Sequence, residues 1–479
     1  MATVSSAGIG SGLDVNSIIT QLMAIETRPL TALQTKATTI QSTVSEYGKI
    51  KSAVSTLDDL ATKLASQTTW AQTTASSSST AVSAATNGSA AGTYSVEVQS
   101  LASVQTLATG VAASSTALAG AGNLHIELGT WGAGQTSFTA SPTATAVDIT
   151  VSATDTLAAV RDKINGSGAG VTALIMTDAN GSRLLLRSNA TGSANAFRTT
   201  VTDADGVNND ATGLSRLAFD PSAGISVMTQ NQVAANAAAT VNGLVVSSTT
   251  NTLANIVDGL TLNLSAQTTG PVTVNVVADT ASLKKTITDF AAAYTAVNTL
   301  IAGDTKYDPT TKTGGILQGD SSATGLQRTL RTLAGSASAA SSVFGHLSDM
   351  GLQIQGDGSL TVNSTQLDSA LGNLAEVKKA FANSNPADPT QDGFAKRFRV
   401  AADSMLDVSG VLTTRTDGLG QQLQRNQTDQ DNMQTRLTGI EARLRAQYTA
   451  LDATMAQLNS KSAYITQQIA AWSANSSSK

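Results

Sequence analysis

Residues 437–472, towards the C-terminus, have the sequence LTGIEARLRAQYTALDATMAQLNSKSAYITQQIAAW. Its apolar side chains recur every three or four residues, with Ser462 filling one step: Leu437, Ile440, Leu444, Tyr448, Leu451, Met455, Leu458, Ile465, Ile469 and Trp472. This spacing predicts an α-helix with one apolar stripe, as in the seam of a coiled coil. Upstream, Asn426 and Gln430 occupy seam positions, where polar residues weaken pairing and can fix its register.

The N-terminal segment carries a matching pattern. Asp14 predicts a helix N-cap, a stripe follows through Ile18 and Leu22, and Pro29 interrupts or restarts the helix. From residue 30 to residue 64 the same spacing recurs, with Lys51 in the one step that lacks an apolar residue. Two seams at opposite ends favour pairing with each other; a long surface helix on a globular core is the alternative.

The middle of the chain has the alternating pattern of β-strands. Tyr94, Val96 and Val98 alternate with polar residues, residues 173–187 indicate a hairpin, and Asn242-Gly243 indicates another turn. Ser76–Ser79 are interpreted as a low-complexity spacer, and helix is expected again from about residue 280. The expected fold class is α+β, with long terminal helices pairing as an α-helical coiled coil and β-rich head domains inserted between them.

Composition excludes several classes of function. The chain has 479 residues, of which 29 are Lys or Arg and 34 are Asp or Glu, giving a formal charge of −5 that argues against nucleic acid as a partner. It has no cysteine, which excludes disulfides, thiol catalysis and Cys-ligated metals. No transmembrane segment and no secretory signal peptide are expected, because no suitable apolar run occurs.

Motifs for catalysis, cofactors or metals are almost absent, so we expect no enzyme, no cofactor and no metal site. The GIGSG run of residues 8–12 lacks the preceding strand and following Lys of a phosphate loop. His125 and His346 are expected to be structural, and the acidic loop from Asp203 to Asp210 fits Asx-turns better than a calcium loop. The remaining prediction is a self-assembling structural protein, such as a phage fibre protein or a filament subunit.

Several segments resemble the flagellar hook-associated protein 2 family, the bacterial filament caps. The leader GIGSGLD of residues 8–14 is similar to that family's start, and the segments 451–453 and 458–465 are similar to its C-terminus. Further resemblance lies in residues 47–53, 94–102, 241–262, 289–294 and 350–360, while residues 157–187 resemble a motif shared with flagellin and hook proteins.

The resemblance implies a mechanism and a set of partners. A ring of about five copies would sit at the distal, extracellular tip of the flagellar filament and help exported flagellin fold and insert. Implied partners are flagellin, the hook–filament junction protein and an export chaperone that binds the C-terminal region. It implies export by the flagellar apparatus without cleavage of a signal, and no membrane insertion.

The expected domains and assembly residues follow from both lines of reasoning. Residues 1–42 are the terminal assembly segment, 43–70 the N-terminal coiled-coil helix, and 282–436 and 437–479 the helical leg and the C-terminal assembly segment. Residues 71–107 with 229–281 form an inner β head domain, and 108–228 form an outer one. The assembly interface is expected at Leu13, Ile18, Leu22, Leu437, Ile440, Leu444, Leu451, Leu458 and Ile465. A surface adhesin that binds host mucin or glycan through the β head is the alternative function.

Overall fold

The structure is a computed structural model that describes residues 14–88 and 90–476. Leu13, the first of the expected assembly residues, and the GIGSG run lie outside the described residues. The α-helices are α1 Val15–Glu26, α2 Arg28–Ala65, α3 Gln67–Trp70, α4 Leu157–Gly166, α5 Thr280–Thr305, α6 Ser321–Gly335, α7 Ser364–Leu371, α8 Leu374–Ala382, α9 Phe394–Leu406 and α10 Val411–Ser476.

The strands lie mainly between α3 and α5. They are β1 Thr73–Ser77, β2 Val82–Thr86, β3 Gly92–Ser100, β4 Thr106–Ala108, β5 Gly122–Trp131, β6 Phe138–Ala140, β7 Val147–Val151, β8 Val171–Asp178, β9 Gly181–Ser188, β10 Ala196–Asp203, β11 Phe219–Asp220, β12 Ile225–Ser226, β13 Thr229–Gln232, β14 Ala237–Val241, β15 Leu244–Ser248, β16 Thr252–Val257, β17 Leu260–Leu264 and β18 Val272–Ala278. Two small hairpins follow, β19 Tyr307–Asp308 with β20 Thr313–Gly314 and β21 Leu352–Ile354 with β22 Leu360–Val362.

The chain divides into two compact units. The helical unit comprises Met1–Thr69 and Thr280–Lys479, and the β-rich unit comprises Trp70–Asp279. The mixture of helix and strand, with a long C-terminal helix and β structure inserted between terminal helices, confirms the expected fold class.

The helical unit is organised around α2. One face of α2 is buried against α5, α9 and α10, so the helix belongs to a bundle as well as to a terminal pair. The step of the seam assigned to Lys51 is filled by Ile50, which is fully buried, while Lys51 is exposed. The assignment of that step to Lys51 was therefore wrong, because packing on several helices widens the buried face beyond a single 3.5-residue seam.

Aromatic side chains fill the centre of this bundle. The ring of Phe398 on α9 lies edge-to-face with Phe290 on α5 at 5.2 Å and with Tyr294 at 5.9 Å. Residues 364–382 form two helices, α7 and α8, which are separated at Gly372 and Asn373. Glycine and asparagine are poor helix formers, and here they end one helix and begin the next.

The β-rich unit contains two hydrophobic cores. One is built from side chains between residues 82 and 102 and between residues 237 and 276. The other is built from side chains between residues 107 and 228. The boundaries expected for the inner and outer head domains stay a prediction.

Antiparallel strand pairing in this unit follows the turn signals. The sheets have the orders β1-β18-β3-β14-β15, β12-β11-β10-β5-β6 with β7 also on β5, β13-β4-β9-β8, and β16-β17-β2. β8 and β9 form the expected hairpin, and β14 and β15 turn at Asn242 and Gly243, whose φ angles are 51° and 82°. Both turn residues have positive φ, which Asn-Gly adopts readily.

The serine run is not a spacer as expected. Ser76 and Ser77 belong to β1, which pairs with β18 almost two hundred residues farther along the chain. Short hydroxyl side chains suit a strand when a distant partner supplies the hydrogen bonds, and nothing in the local sequence identifies that partner. Among the described helices, none has an apolar stretch long enough to cross a membrane.

Candidate functional site

The terminal helices α1 and α10 pack against each other. The Asp14 carboxylate accepts a hydrogen bond from the Ser17 N–H at 3.0 Å and caps α1, as expected. Val15 and Ile19 are the buried residues of α1, while Ile18 is half-buried and Leu22 is 37% exposed. Ile18 and Leu22, the two expected assembly residues on α1, are therefore both partly exposed to solvent.

On α10, apolar side chains repeat at intervals of seven residues and become steadily more exposed towards the C-terminus. They are Leu437, Leu444, Leu451, Leu458, Ile465 and Trp472. Leu437 is 3% exposed, Leu451 45%, Leu458 54% and Trp472 80%. Ile440 and Leu444 lie between these extremes and are half-buried. The expected assembly residues on α10 thus divide into a covered group, residues 437–444, and an exposed group, residues 451–465.

A second set of residues, also spaced by seven, completes the apolar stripe of α10. Tyr448, Met455, Ser462 and Ile469 are also seven residues apart and alternate with the first set in steps of three and four. This strict 3.5-residue repeat is the pattern that a partner helix recognises in a coiled coil. Every side chain from residue 457 to residue 473 is exposed, so this part of the stripe is open to a partner. We call residues 451–472 of α10 the open seam.

A polar step, Asn426 with Gln430, precedes the covered group 437–444 on α10. Asn426 on α10 is 3% exposed, and its Oδ1 accepts a hydrogen bond from Gln430 Nε2 at 2.6 Å. The Nδ2 atom of Asn426 is buried and has no hydrogen-bond partner among the described residues. An unpaired buried donor is costly, so this step weakens the pairing of α10 with its neighbours. The sequence had indicated these two residues.

An ion pair ties α10 to the bundle on the other side of this step. Arg415 donates through Nε and Nη2 to Asp320 Oδ2, at 3.1 and 2.7 Å, and Asp320 also caps α6. Burial opposes ionisation of Asp320, but the Arg415 guanidinium together with Tyr47 and the Ser322 N–H outweighs it and holds the pKa of the carboxyl below its usual range. Burial and the neighbouring Asp320 carboxylate raise the pKa of Tyr47 on α2 to about 12. The cluster fixes the base of α10 where α2 and α6 meet it.

The side chains considered for chemistry have structural contacts. His125 Nδ1 lies 2.9 Å from Asp148 Oδ1, on the side of β5 opposite the core residues Leu124 and Ile126. Asp203 is buried and accepts hydrogen bonds from Asp205 and from Ser215, which closes the loop as expected for Asx-turn chemistry. Within residues 14–88 and 90–476, no three His, Cys, Asp or Glu side chains are close enough to hold a metal ion.

One feature escaped the sequence analysis. Trp131 at the end of β5 lines a pocket in the β-rich unit together with Gln135 and Gln230. The full lining comes from three separate segments, 131–135, 193–196 and 230–234, and no motif connects them. The only available signal was the isolated Trp131 beside Gly132 and Gly134.

The chain matches three family descriptions. Residues 11–105 match the flagellar hook-associated protein 2 N-terminus, residues 234–460 match the C-terminus of the same family, and residues 133–190 match the flagellin hook IN motif. The last match includes residues 157–187, which the sequence analysis related to flagellin and hook proteins.

Relatives match over nearly the whole length. Flagellar hook-associated protein 2 of Escherichia coli K12 is 32% identical over 98% of this chain and 98% of its own length. The B-type flagellar hook-associated protein 2 of Pseudomonas aeruginosa PAO1 is 31% identical over 97% of each chain. The crystal structure of the D1-D2-D3 domains of the flagellar cap protein FliD from Escherichia coli is 28% identical, covers 78% of this chain and 99% of that chain, and has a TM-score of 0.58.

Proposed function

The chain belongs to the flagellar hook-associated protein 2 family, which includes a flagellar cap protein, and on this premise we propose that it caps the distal end of a flagellar filament and promotes the folding and insertion of exported flagellin. Its relatives are named flagellar hook-associated protein 2 and flagellar cap protein, in agreement with a role in assembly. Capping needs binding and release rather than covalent chemistry, so we propose that the protein is not an enzyme.

The observation that carries this proposal is the open seam on α10. Most of the stability of a helix in a protein comes from packing its apolar face against other elements. The exposed residues Leu458, Ile465 and Trp472 lie on such a face. This segment therefore gains stability when a helix of another molecule covers it.

We propose that the open seam, together with α1, attaches the cap to successive subunits of the growing filament. Weak intrinsic folding suits this task, because a segment that is only ordered by contact can release one site and engage the next. The buried Asn426 lowers the stability of the helix pair between this segment and the bundle. Among the expected assembly residues on α10, those at 437–444 make contacts within the chain, and we propose that those at 451–465 are offered to other molecules.

The further partners are those that the family resemblance implies. We propose a ring-shaped homo-oligomer of about five copies, with flagellin and the hook–filament junction protein as neighbours. An export chaperone would bind the C-terminal region before export, when the open seam needs protection from aggregation. The protein would then act outside the cell, at the tip of the filament.

The test is a pair of substitutions on opposite faces of the same helix. Leu458→Asp with Ile465→Asp places two charges in the open seam, while Ser460→Asp with Gln467→Asp places the same charges on the other side, which is also exposed. The thermal unfolding temperature of both variants should match that of the wild-type protein, because none of the four positions is buried.

Function should separate the two variants. In cells that carry each version as the only cap protein, the seam variant should leak flagellin into the medium and lose swimming. The Ser460→Asp/Gln467→Asp variant should swim. Normal swimming and filament length with the seam variant would contradict the proposed role of the open seam.

A further inference from the structure

Four asparagine residues of the chain are followed directly by glycine: Asn87, Asn165, Asn180 and Asn242. Asparagine before glycine is the pair most prone to spontaneous deamidation, because a residue without a Cβ lets its backbone nitrogen approach the preceding side chain. The pair at Asn87 adjoins Ser89, which lies outside the described residues. The other three pairs have described neighbours on both sides, and their surroundings differ.

The side-chain amides of Asn165 and Asn242 are held by backbone groups of other segments. Asn165, near the end of α4, donates from Nδ2 to the Ala173 carbonyl at 3.0 Å, and its Oδ1 accepts from the Ala173 N–H at 2.8 Å. The Oδ1 atom of Asn242 accepts from the Ser95 N–H on the neighbouring strand β3 at 2.9 Å. Rotating either side chain towards its own glycine would break these bonds, so both amides are protected from deamidation.

The side-chain amide of Asn180 is not held in this way. Asn180 lies exposed at the tip of the β8–β9 hairpin. Its backbone N–H donates to the Asp178 carboxylate at 2.7 Å, but its side-chain amide has no hydrogen-bond partner within residues 14–88 and 90–476. The Cγ atom of Asn180 can therefore turn towards the backbone nitrogen of Gly181 without the loss of a hydrogen bond.

The fold requires glycine at the position after Asn180. Gly181 has a φ of 134°, and a Cβ at this position would clash with the Ala112 carbonyl oxygen. The same oxygen accepts a hydrogen bond from the Ser182 N–H at 2.8 Å, and the Ala112 N–H donates to the Ser182 carbonyl at 2.8 Å. Backbone packing thus fixes the glycine of this pair, although Asn180 itself is exposed.

We propose that Asn180 is a site of spontaneous deamidation. Hydroxide removes the proton of the Gly181 backbone amide, and the Gly181 nitrogen attacks Asn180 Cγ. The new N–C bond closes a succinimide ring, the Cγ–Nδ2 bond breaks, and Nδ2 leaves as ammonia with a proton taken from water. A water molecule then opens the ring at either carbonyl and gives aspartate or isoaspartate, so the chain exchanges ammonia for water overall. This inference does not depend on the capping function.

Deamidation changes the charge and the backbone of the hairpin tip. The product carries a new carboxylate two residues from Asp178, on a hairpin whose exposed side chains include Leu174 and Met176. Isoaspartate also adds a methylene group to the backbone of the turn, between strands that pair from Asp178 and Gly181 onwards. Aged copies of the chain should therefore differ from new copies in charge and turn geometry at this hairpin.

The test compares two sites in one peptide of the full-length protein. Asn165 and Asn180 are both followed by Gly-Ser, and trypsin releases them together in residues 164–183. The protein is aged in mildly alkaline buffer made with water enriched in heavy oxygen, then digested in ordinary water, and fragment masses locate the modification. Uptake of heavy oxygen marks deamidation that took place during ageing. Residue 180 should react at least about tenfold faster than residue 165, which must first break two hydrogen bonds.

A second sample, aged in guanidinium chloride, separates the effect of the fold from that of the local sequence. In the unfolded chain both asparagines have the same following residues and no fixed partners, so their rates should converge to within about twofold. Equal rates in the folded protein, faster reaction at residue 165, or a tenfold difference that persists in the denaturant would each overturn the proposal. Swimming plays no part in this readout, so its outcome is separate from that of the capping test.

Discussion

Replacing the buried Asn426 with leucine should stabilise the helical unit. The Asn426 side chain is 3% exposed and accepts a hydrogen bond from Gln430 on the same helix, while its Nδ2 has no partner within residues 14–88 and 90–476. Removing an unsatisfied buried donor is worth about 1–3 kcal/mol. Burying a leucine side chain adds about 2 kcal/mol.

Two costs reduce this gain. Leucine is bulkier than asparagine, and overpacking costs about 1–3 kcal/mol. Gln430 loses its partner but is only half-buried, so its amide can turn towards water at a cost of about 0.5 kcal/mol. The expected net increase in the free energy of unfolding is therefore about 1–2 kcal/mol.

The assay is urea unfolding followed by far-ultraviolet circular dichroism, with hydrogen exchange to locate the effect. Exchange of the α10 amides around residue 426 should slow in Asn426→Leu, since these amides open locally when the seam separates. The matched control is Asn432→Leu, an exposed position on the same helix, which should change stability by less than about 0.5 kcal/mol.

An Asn426→Leu protein that is less stable than the wild-type protein, or no different from Asn432→Leu, would refute this reasoning. It would mean that the Asn426 amide is satisfied or that the site has no room for an apolar side chain. If the variant is more stable as expected, it should also release from the filament more slowly, because the polar step no longer loosens the terminal pair.

Three other changes test the bundle. Arg415→Met leaves the mostly buried Asp320 carboxylate without its cation and should cost about 2 kcal/mol in urea unfolding, a figure reduced because the arginine is about one-third exposed. Phe398→Ala should cost about 3–5 kcal/mol in the same assay through the cavity left in the aromatic centre. Lys379 and the Ser341 hydroxyl lower the pKa of Glu376 from 4.5 to about 2. Because the folded-state pKa lies below the unfolded-state pKa, the ionised Glu376 stabilises the folded protein above pH 4.5, and this stabilisation is lost as the pH falls towards 2. In thermal melts, the unfolding temperature of the wild-type protein should therefore fall more steeply between pH 4.5 and pH 2 than that of Glu376→Gln.

Local patterns were enough to predict the helices and most hairpins. The stripe of α10, the cap at Asp14 and the turn at Asn242-Gly243 each depend on residues a few positions apart, and backbone geometry relates those residues directly to structure. The polar step at Asn426 could also be identified, because a seam position is recognisable from its spacing alone. The apolar stripe was predicted to face other molecules, but the residue at which the covered part ends was not predictable, since it depends on where the neighbouring helices end.

Contacts between distant segments could not be predicted from local patterns and became visible only in the folded chain. Ile50 rather than Lys51 is buried because α2 packs on α5, α9 and α10 at once, and β1 forms a strand because β18 lies beside it. The pocket at Trp131 joins three segments around an amide pair, Gln135 and Gln230. Spacing along the chain determines which side chains share a face of one element; it carries no information about which other element that face will meet.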